Sequence, residues 1–241
     1  MRRPRVKRGA KYLACGFTAG LRTLRVLDKV MLSIYHKADA NETGLNMREV
    51  ETLPKPNLTG SVSLEQTIAA RRSRREFSSK LLTWEQIGQL AWAAQGQDAH
   101  SRYRTVPSAG ATYPLELFVV TERGLFRYLP GKHAVARLTD QDLRARLAAA
   151  AWGQEFIAAA AVTLVFAAEF ARTTGRYGER GIRYVYMEAG HAAQNVHLQA
   201  ESLGLGSVAV GAFDDASVSK VLELPSRLEP LYMVPVGYCR G

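Results

Sequence analysis

The sequence has few of the residues that build disulfide-rich, fibrous or membrane-spanning proteins. It contains two cysteines in 241 residues, Cys15 and Cys239, which excludes a disulfide framework and is typical of a reducing compartment. Its prolines and glycines form no low-complexity repeat. No apolar run approaches the ~20 residues that span a bilayer, and residues 12–18 are too short and too polar for a secretion signal. We therefore expect a cytoplasmic globular protein with no membrane partner.

Several catalytic signatures are also missing from the sequence. There is no zinc-ligand spacing, no Walker-type phosphate loop and no Gly-x-Ser-x-Gly nucleophile elbow. The glycines at 204, 206 and 211 follow a predicted helix, whereas a dinucleotide fingerprint needs glycines that open one. These absences argue against a zinc enzyme, a P-loop nucleotide hydrolase, an esterase-type hydrolase and a Rossmann dehydrogenase.

Positive charge is concentrated at the start of the chain. The formal net charge is +10, and residues 1–12 carry six cations and no acid, so the remaining chain has a surplus of only +4. A basic arm of this kind can contact nucleic acid or an anionic membrane, or it can be a solvated tail with no partner. A basic nucleic-acid-binding or scaffold protein is therefore the alternative to an enzyme.

The chain divides by composition near residue 60. Leucines and other apolar residues recur at three- and four-residue spacing over 17–36, which predicts an amphipathic helix. Residues 39–60 are rich in Pro, Gly and Asn and predict a loop. We expect an N-terminal extension over 1–60, made of a basic arm, a helix and a linker, and a folded domain over 61–241.

Helices and short strands alternate in the second region without a regular βαβ spacing. Capping boxes predict helix starts at Ser63 and Thr83. The other predicted helices cover 139–150, 177–203 and 214–222, and the predicted strands cover 115–121, 125–129, 161–168, 207–210 and 231–238. The pattern favours an α+β fold in which helices flank a mostly antiparallel sheet.

Four arginines occupy five consecutive positions just after the first of these helices. They are Arg71, Arg72, Arg74 and Arg75, with Ser73 between them. A phosphate suits such a group because each guanidinium offers a planar fork to two oxygens. A solvated charged face and a nucleic-acid patch explain the same residues.

Two further segments have residues suited to chemistry. The run from Pro107 to Pro114 is small and stiff, which lets a ligand approach its backbone, although an ordinary strand-entry loop has the same composition. Glu188 and His191 stand three residues apart on a predicted helix. This spacing occurs in di-iron bundles, but the sequence has no second copy of the pair, so we expect no metal and a buried, hydrogen-bonded His191.

Taken in order, these segments resemble the nitroreductase superfamily, and within it the SagB-type dehydrogenase branch that includes peptide azoline oxidases. The resemblance covers about residues 61–241. The segments that carry it are RRSRREF, PSAGATYPLE, RYGERGIRYVYMEAGHAAQNVHLQAESLGLGS and LYMVPVGY. It implies a nitroreductase-like fold with a long central dimer-interface helix, and a homodimer that binds FMN between its subunits.

The resemblance also implies residue roles. Arg71 and Arg240 would bind the FMN phosphate, Ser73 the phosphate and ribityl chain, and Arg75 the N1–C2 carbonyl edge of the flavin. The remaining implied FMN-binding residues are Arg72 of the same arginine run, Pro107, Ser108 and Gly110 from the partner subunit, and Gly211, whose backbone would approach flavin N5.

One position departs from the azoline-oxidising members. These have a Lys-Tyr pair before the long helix that is thought to act as a base, and here the matching residues are Arg176 and Tyr177. Arginine does not release its proton near neutral pH, so Tyr177 is the candidate for proton transfer.

The expected function is two-electron transfer, as hydride, at flavin N5. The favoured version is dehydrogenation of an azoline to an azole in a modified peptide, with a biosynthetic partner protein. The alternative is reduction of a nitro, quinone or enone compound with NAD(P)H as electron donor. If the protein is instead a nucleic-acid-binding or scaffold protein, it would lack flavin. If it is an enzyme, we expect no nucleic-acid partner.

Overall fold

A seven-stranded antiparallel sheet organises the residues described by the structure, a computed structural model that covers residue 45, residues 47–97 and residues 103–240. The strand order is β1-β4-β3-β2-β5-β7-β6. The strands are β1 (Glu49–Thr52), β2 (Leu115–Thr121), β3 (Gly124–Leu129), β4 (Ala134–Thr139), β5 (Val162–Ala168), β6 (Gly206–Ser207) and β7 (Glu229–Gly237). All their pairings are antiparallel, which confirms the predicted α+β class.

Helices cover both faces of this sheet. They are α1 (Leu64–Ala70), α2 (Trp84–Gln95), α3 (Arg144–Ala150), α4 (Glu155–Ala159), α5 (Phe170–Tyr177), α6 (Arg180–Ser202) and α7 (Asp215–Val221). Buried side chains of α2 and α6 pack on one face, and those of α3, α4 and α7 pack on the other. Both faces of β2 and β5 are therefore covered, and every residue of these two strands is buried. The continuous apolar run of residues 161–168 predicts a buried central strand, and β5 confirms it.

Local capping chemistry places α1 and α2 as predicted. The hydroxyl of Ser63 accepts the backbone N–H of Gln66, whose side chain accepts the N–H of Ser63. Thr83 and Gln86 repeat this reciprocal pair at the start of α2. Each pair satisfies backbone donors that the first helical turn leaves open.

The predicted helix over 139–150 is wrong in its first half. Residues 134–139 form strand β4, which pairs with β1 and with β3, and the helix begins only at Arg144. Residues 49–52, which the composition assigns to a loop, form the edge strand β1. In both places long-range pairing decides a structure that local propensity does not.

The helix predicted over 177–203 is interrupted. Gly178, with φ of 57° and ψ of −150°, separates α5 from α6, a conformation open essentially to glycine alone. The apolar periodicity of this segment predicts Ile182 and Tyr186 on the inner side of the helix, but they are 43% and 56% exposed. The strand predicted over 207–210 is shorter, because β6 ends at Ser207 and Val210 makes only a single bridge to Met233.

The basic arm, the helix predicted over 17–36 and Cys15 lie outside the described residues. The boundary near residue 60 stays a prediction. Within residues 47–97 and 103–240, no helix combines the length and apolar character that crossing a membrane requires.

Candidate functional site

The arginine run lies beside the C-terminal end of the chain. Ser73 forms a parallel bridge with Ser207, and the backbone N–H of Arg74 donates to the Ser207 carbonyl at 3.0 Å. The backbone N–H of Arg240 donates to the carbonyl of Glu76 at 3.0 Å. The fold therefore brings Arg240 next to residues far from it in sequence, and Arg71, Arg72, Arg74, Arg75 and Arg240 are called the arginine cluster below.

A glycine at the edge of the sheet allows this approach. A Cβ added at Gly206 would lie 2.5 Å from the Cys239 sulfur and 3.0 Å from the Arg74 Cβ. Any side chain there would push the arginine run away from β6. The Gly-Leu-Gly sequence that ends α6 thus has a structural reason besides helix termination.

Most of the charge in the arginine cluster is uncompensated. Arg74 forms a salt bridge of 3.5 Å with Glu201, and the Arg240 Nε donates to the Phe77 carbonyl at 2.9 Å. In the part of the chain that the structure describes, no carboxylate pairs with Arg71, Arg72, Arg75 or Arg240. Guanidinium groups gathered on adjoining segments without carboxylate partners repel one another, and a bound anion would relieve that repulsion.

His197 is a buried histidine beside this cluster that the sequence analysis did not single out. It lies on α6, and its Nδ1 is 2.7 Å from the Ser207 hydroxyl oxygen. Burial and the positive charge of Arg71 lower the pKa of His197 to about 4. The imidazole is therefore neutral near pH 7, and a lone histidine in a helical pattern gave no signal of this.

The second group of predicted residues lies around the segment 107–114, called the Ser108 loop below. The Ser108 hydroxyl accepts the backbone N–H of Tyr113 at 2.9 Å, which closes the loop. Gly110 lies at φ of 60° in a 3₁₀ turn over Ala109–Ala111. An open cavity of about 530 Å³ is lined by Tyr103, Arg104, Thr105, Val106, Pro107, Ser108, Gly110, Ala111, Tyr113 and Arg176.

Arg176 and Tyr177 lie directly against this loop. The Arg176 Nη1 donates to the Gly110 carbonyl at 3.1 Å. A Cβ at Gly110 would lie 2.6 Å from the Tyr177 hydroxyl oxygen. The Tyr177 ring is itself oriented by an edge-to-face contact with Tyr184, with centroids 5.3 Å apart. The structure thus brings both predicted catalytic residues to the loop predicted to bind the flavin.

A buried ionic network fixes the loop and α5 together. The Arg172 Nη1 donates to the Tyr113 carbonyl at 3.1 Å, and its Nη2 lies 2.9 Å from Glu116. Arg127 binds the other oxygen of Glu116 through two nitrogens at 3.0 and 3.1 Å. Burial alone would raise the pKa of Glu116, but Arg127 and Arg172 bring it below the ordinary value. Arg172 lies one turn before Arg176, so the network positions the C-terminal end of α5, where both predicted catalytic residues lie.

Glu188 faces the inside of the protein and His191 does not. Glu188 is 3% exposed, and burial raises its pKa to about 7, although the Ser108 hydroxyl and Arg104 oppose that rise. His191 is exposed, which corrects the expectation that it is hydrogen-bonded inside. Among the described residues, no three His, Cys, Asp or Glu side chains converge on a possible metal position.

The two groups of site residues meet different sides of α6. Ser108 and Arg104 influence the pKa of Glu188, and Arg71 influences the pKa of His197. Glu188 and His197 are nine residues apart, which is about two and a half helical turns and places them on opposite sides of the helix. Gly211 is exposed and lies beside the ring of Tyr232. One chain therefore does not place the arginine cluster and the Ser108 loop on a single helix face.

Known proteins match most of the chain. Residues 68–238 match the nitroreductase family. A Methanocaldococcus jannaschii protein provisionally named as a nitroreductase is 45% identical over 73% of this chain and 91% of its own length. The microcin B17-processing protein McbC of Escherichia coli is 30% identical over 57% of this chain and 55% of its own length.

Solved structures show the same fold. A Ralstonia eutropha protein, also provisionally described as a nitroreductase, superposes with a TM-score of 0.73 at 30% identity, covering 80% of this chain and 91% of that one. More distant sequence relatives are named as NADPH-dependent flavin or FMN reductases.

Proposed function

Since this chain belongs to the nitroreductase family, whose members are FMN-dependent oxidoreductases, we propose that it is a SagB-type dehydrogenase that oxidises an azoline to an azole in a modified peptide. The similarity to McbC, a protein named for processing microcin B17, supports this reaction. Tyr177 supports it as well: by the sequence resemblance it matches the tyrosine of the azoline oxidases, and its hydroxyl lies against Gly110 of the Ser108 loop.

The donor set of the arginine cluster fits FMN. Arg71 and Arg240 lie in adjoining segments and have no carboxylate partner within the described residues, so a dianionic phosphate would find two guanidinium groups without an ionic partner, of which Arg240 uses its Nε for the Phe77 carbonyl. Ser73 follows in the same segment and would bind the phosphate and ribityl chain. Arg72 adds positive charge, and Arg75, whose Cζ lies 5.8 Å from the Phe156 ring centroid, would lie at the N1–C2 carbonyl edge. Bound FMN supplies the two-electron chemistry, with hydride transfer at N5.

The Ser108 loop would close the site from a second subunit. Pro107, Ser108 and Gly110 would contact the flavin across the dimer interface, and the Gly211 backbone would approach N5. Arg176 keeps its proton at neutral pH and holds the Gly110 carbonyl. Tyr177 would then be the residue that moves a proton at its hydroxyl. The substrate reaches these residues through the cavity that the loop lines.

Arg176 also favours a second candidate reaction. With arginine in place of the lysine of azoline oxidases, the chain lacks one residue of the Lys-Tyr pair that is thought to act as the catalytic base in those enzymes. Reduction of a nitro, quinone or enone substrate at the expense of NAD(P)H needs no such pair, and NADPH-dependent flavin reductases are among the relatives. Bleaching of bound flavin by NADPH alone would favour this candidate. Bleaching of the oxidised flavin by an azoline peptide without NADPH, with the azole as product, would favour the first, because that reaction delivers two electrons to the flavin.

Both candidate reactions require bound FMN, so FMN retention tests the requirement that they share. Purified protein should be yellow, with one FMN per chain, and the double substitution Arg71→Ala with Arg240→Ala should weaken FMN binding at least ~100-fold, because two charge-assisted contacts are lost. Arg123→Ala, at the exposed tip of the β2–β3 hairpin, is the matched control and should leave binding unchanged. Equal FMN affinity in the double variant and the control would remove the arginine cluster from the site.

A further inference from the structure

The lining of the cavity beside the Ser108 loop carries positive charge and no acid. The cavity has a volume of about 530 Å³, which is within the usual range for sites that bind small molecules. Of the described residues that line it, Arg104 and Arg176 are charged and the others are neutral. Because no carboxylate of the lining offsets these two charges, the cavity favours a ligand that carries negative charge.

Arg104 contributes charge to this cavity but is held by the protein. Its Nη1 donates to the side-chain oxygen of Gln95 and, at 3.0 Å, to the Leu115 carbonyl. Its Cζ lies 4.7 Å from the centroid of the Tyr113 ring, which is a cation–π contact. Arg104 therefore has a structural role beside the Ser108 loop, and its charge adds to the positive potential of the cavity.

Arg176 is restrained at the cavity and has no ionic partner. Its Nη1 donates to the Gly110 carbonyl at 3.1 Å, and its Cζ lies 5.5 Å from the centroid of the Tyr177 ring. No carboxylate among the described residues forms a salt bridge with it, not even that of the nearby Glu179. A guanidinium has five N–H donors, and the bond to Gly110 uses one of them. Because two contacts already restrict the side chain, binding an anion costs less conformational entropy here than at a free surface arginine.

We propose that this cavity binds a substrate with a carboxylate group, and that Arg176 determines this specificity by binding the carboxylate. The fork of a guanidinium matches the two oxygens of a carboxylate. The Tyr177 hydroxyl lies at the same loop, 2.6 Å from the position of a Cβ at Gly110, so a substrate bound to Arg176 lies close to the residue that would move a proton. This consequence for catalysis rests on the proposed function. The proposal also gives a role to an arginine that cannot act as a base.

Two probes of nearly equal shape, para-nitrobenzoate and para-nitrobenzamide, test the recognition of the carboxylate. They differ in charge, so the ratio of their dissociation constants isolates the contribution of that charge. Wild-type protein with bound FMN should bind the acid about tenfold more tightly than the amide, as expected for a charge-assisted hydrogen-bonded pair. Raising the salt concentration from about 50 to about 500 mM should weaken binding of the acid and not of the amide, because the cavity is open to solvent. Isothermal titration calorimetry measures both effects.

Substitutions of Arg176 show whether this residue is responsible. In Arg176→Gln the preference for the acid should fall to less than about twofold, and Arg176→Lys, which keeps the charge, should retain a part of it. A loosened loop would instead weaken both probes together and leave their ratio at about ten, and this result would overturn the role of Arg176. The exposed Arg146 on α3, on the other face of the sheet, provides the control. Arg146→Gln changes the net charge equally and should keep the full preference.

A second pair of probes distinguishes the two sources of a carboxylate. This pair is a short thiazoline peptide with a free C-terminal carboxylate and the same peptide with a C-terminal amide. A preference for the acid in the peptide pair supports a peptide carboxylate as the group that Arg176 binds. A preference confined to the nitrobenzoate pair supports a small aromatic acid.

Wild-type protein that binds acid and amide alike in both pairs, or that binds none of the probes, would overturn the proposal. The same holds for a preference that Arg146→Gln abolishes as fully as Arg176→Gln, because net charge alone would then explain it. Failure of the wild type to retain FMN would instead overturn the proposed function. The same titrations on the cofactor-free protein would still decide whether Arg176 binds the carboxylate.

Discussion

Tyr177 shows how a single residue is placed by a loop, a helix end and an aromatic neighbour at once. Its hydroxyl lies where a Cβ at Gly110 would collide with it, and its ring contacts Tyr184. Glycine at position 110 is thus required for two reasons, the left-handed backbone and the tyrosine behind it. The sequence suggested Tyr177 by resemblance alone, whereas the contact with Gly110 depends on tertiary structure.

Replacing this hydroxyl separates proton transfer from flavin binding. Tyr177→Phe should lower turnover about 100-fold or more, the usual worth of a positioned acid or base, while FMN occupancy stays at the wild-type level. Steady-state rates and flavin absorbance measure the two effects. Tyr184→Phe keeps the ring contact and removes a neighbouring hydroxyl, so it should remain active. Wild-type turnover in Tyr177→Phe would take the residue out of the mechanism.

His197 makes a prediction about stability rather than activity. Its pKa in the fold is about 4, below the ordinary value of about 6.5. Between pH 6.5 and pH 4 the histidine therefore binds a proton in the unfolded chain but not in the folded chain. The stabilisation of the fold that is present above pH 6.5 is lost as the pH falls towards 4. Burial is the larger cause and the charge of Arg71 adds to it.

Chemical denaturation at pH 7 and pH 4.5 measures this loss. Relative to the wild type, His197→Asn should gain about 2 kcal/mol in unfolding free energy on going from pH 7 to pH 4.5, since the asparagine has no proton to take up. His191→Asn, an exposed histidine on the same helix, should show no such gain. If both substitutions gave the same pH dependence, His197 would not be held neutral by the fold.

At the scale of elements, the sequence predicted what local chemistry decides and missed what pairing decides. Capping boxes and apolar runs located α1, α2, β2 and β5. Strand β4 was not predicted, and its last residue, Thr139, was placed at the start of a helix, although the strand pairs with β3 and with the distant β1. The arginine run was recognised by its composition, but its position beside Arg240 arises from β6 and β7. Periodicity alone could not reveal it.

The break between α5 and α6 is the element-level feature that places Tyr177. Gly178→Ala finds free space around its new methyl group, but the backbone at φ of 57° and ψ of −150° is strained for alanine, which should cost about 1–3 kcal/mol. The strain would be relieved by moving the end of α5, so turnover should fall as well. Thermal unfolding and activity measure both effects.

Gly175 supplies the matched control inside α5. Its surroundings are equally open, but it lies within the helix, so Gly175→Ala should raise stability by about 0.5–1 kcal/mol. Stabilisation by both substitutions would show that Gly178 imposes no strain.

The arginine cluster and the Ser108 loop lie on opposite sides of α6, so a flavin site that uses both would need two copies of the chain. Hydrogen bonds within one chain hold the arginine cluster in place, and others hold the Ser108 loop. The exposed Ile182, Tyr186 and Met187 near the start of α6 give that helix an apolar surface suited to a symmetric partner. A homodimer would join the cluster of one protomer to the loop of the other in two equivalent sites.

Mixing two inactive variants tests this arrangement. Consider a mixed dimer in which one subunit carries Arg71→Ala with Arg240→Ala and the other carries Tyr177→Phe. If each site takes its arginine cluster from one subunit and Tyr177 from the other, one site of this dimer contains all the substitutions and the second site contains none. Random reassociation of equal amounts makes half the dimers mixed, and each mixed dimer has one unsubstituted site. The mixture should therefore recover about a quarter of the activity of the same amount of wild-type protein. Each variant alone, refolded in the same way, is the control. Active sites built within single chains would give no recovery, because every site would then keep its own defect.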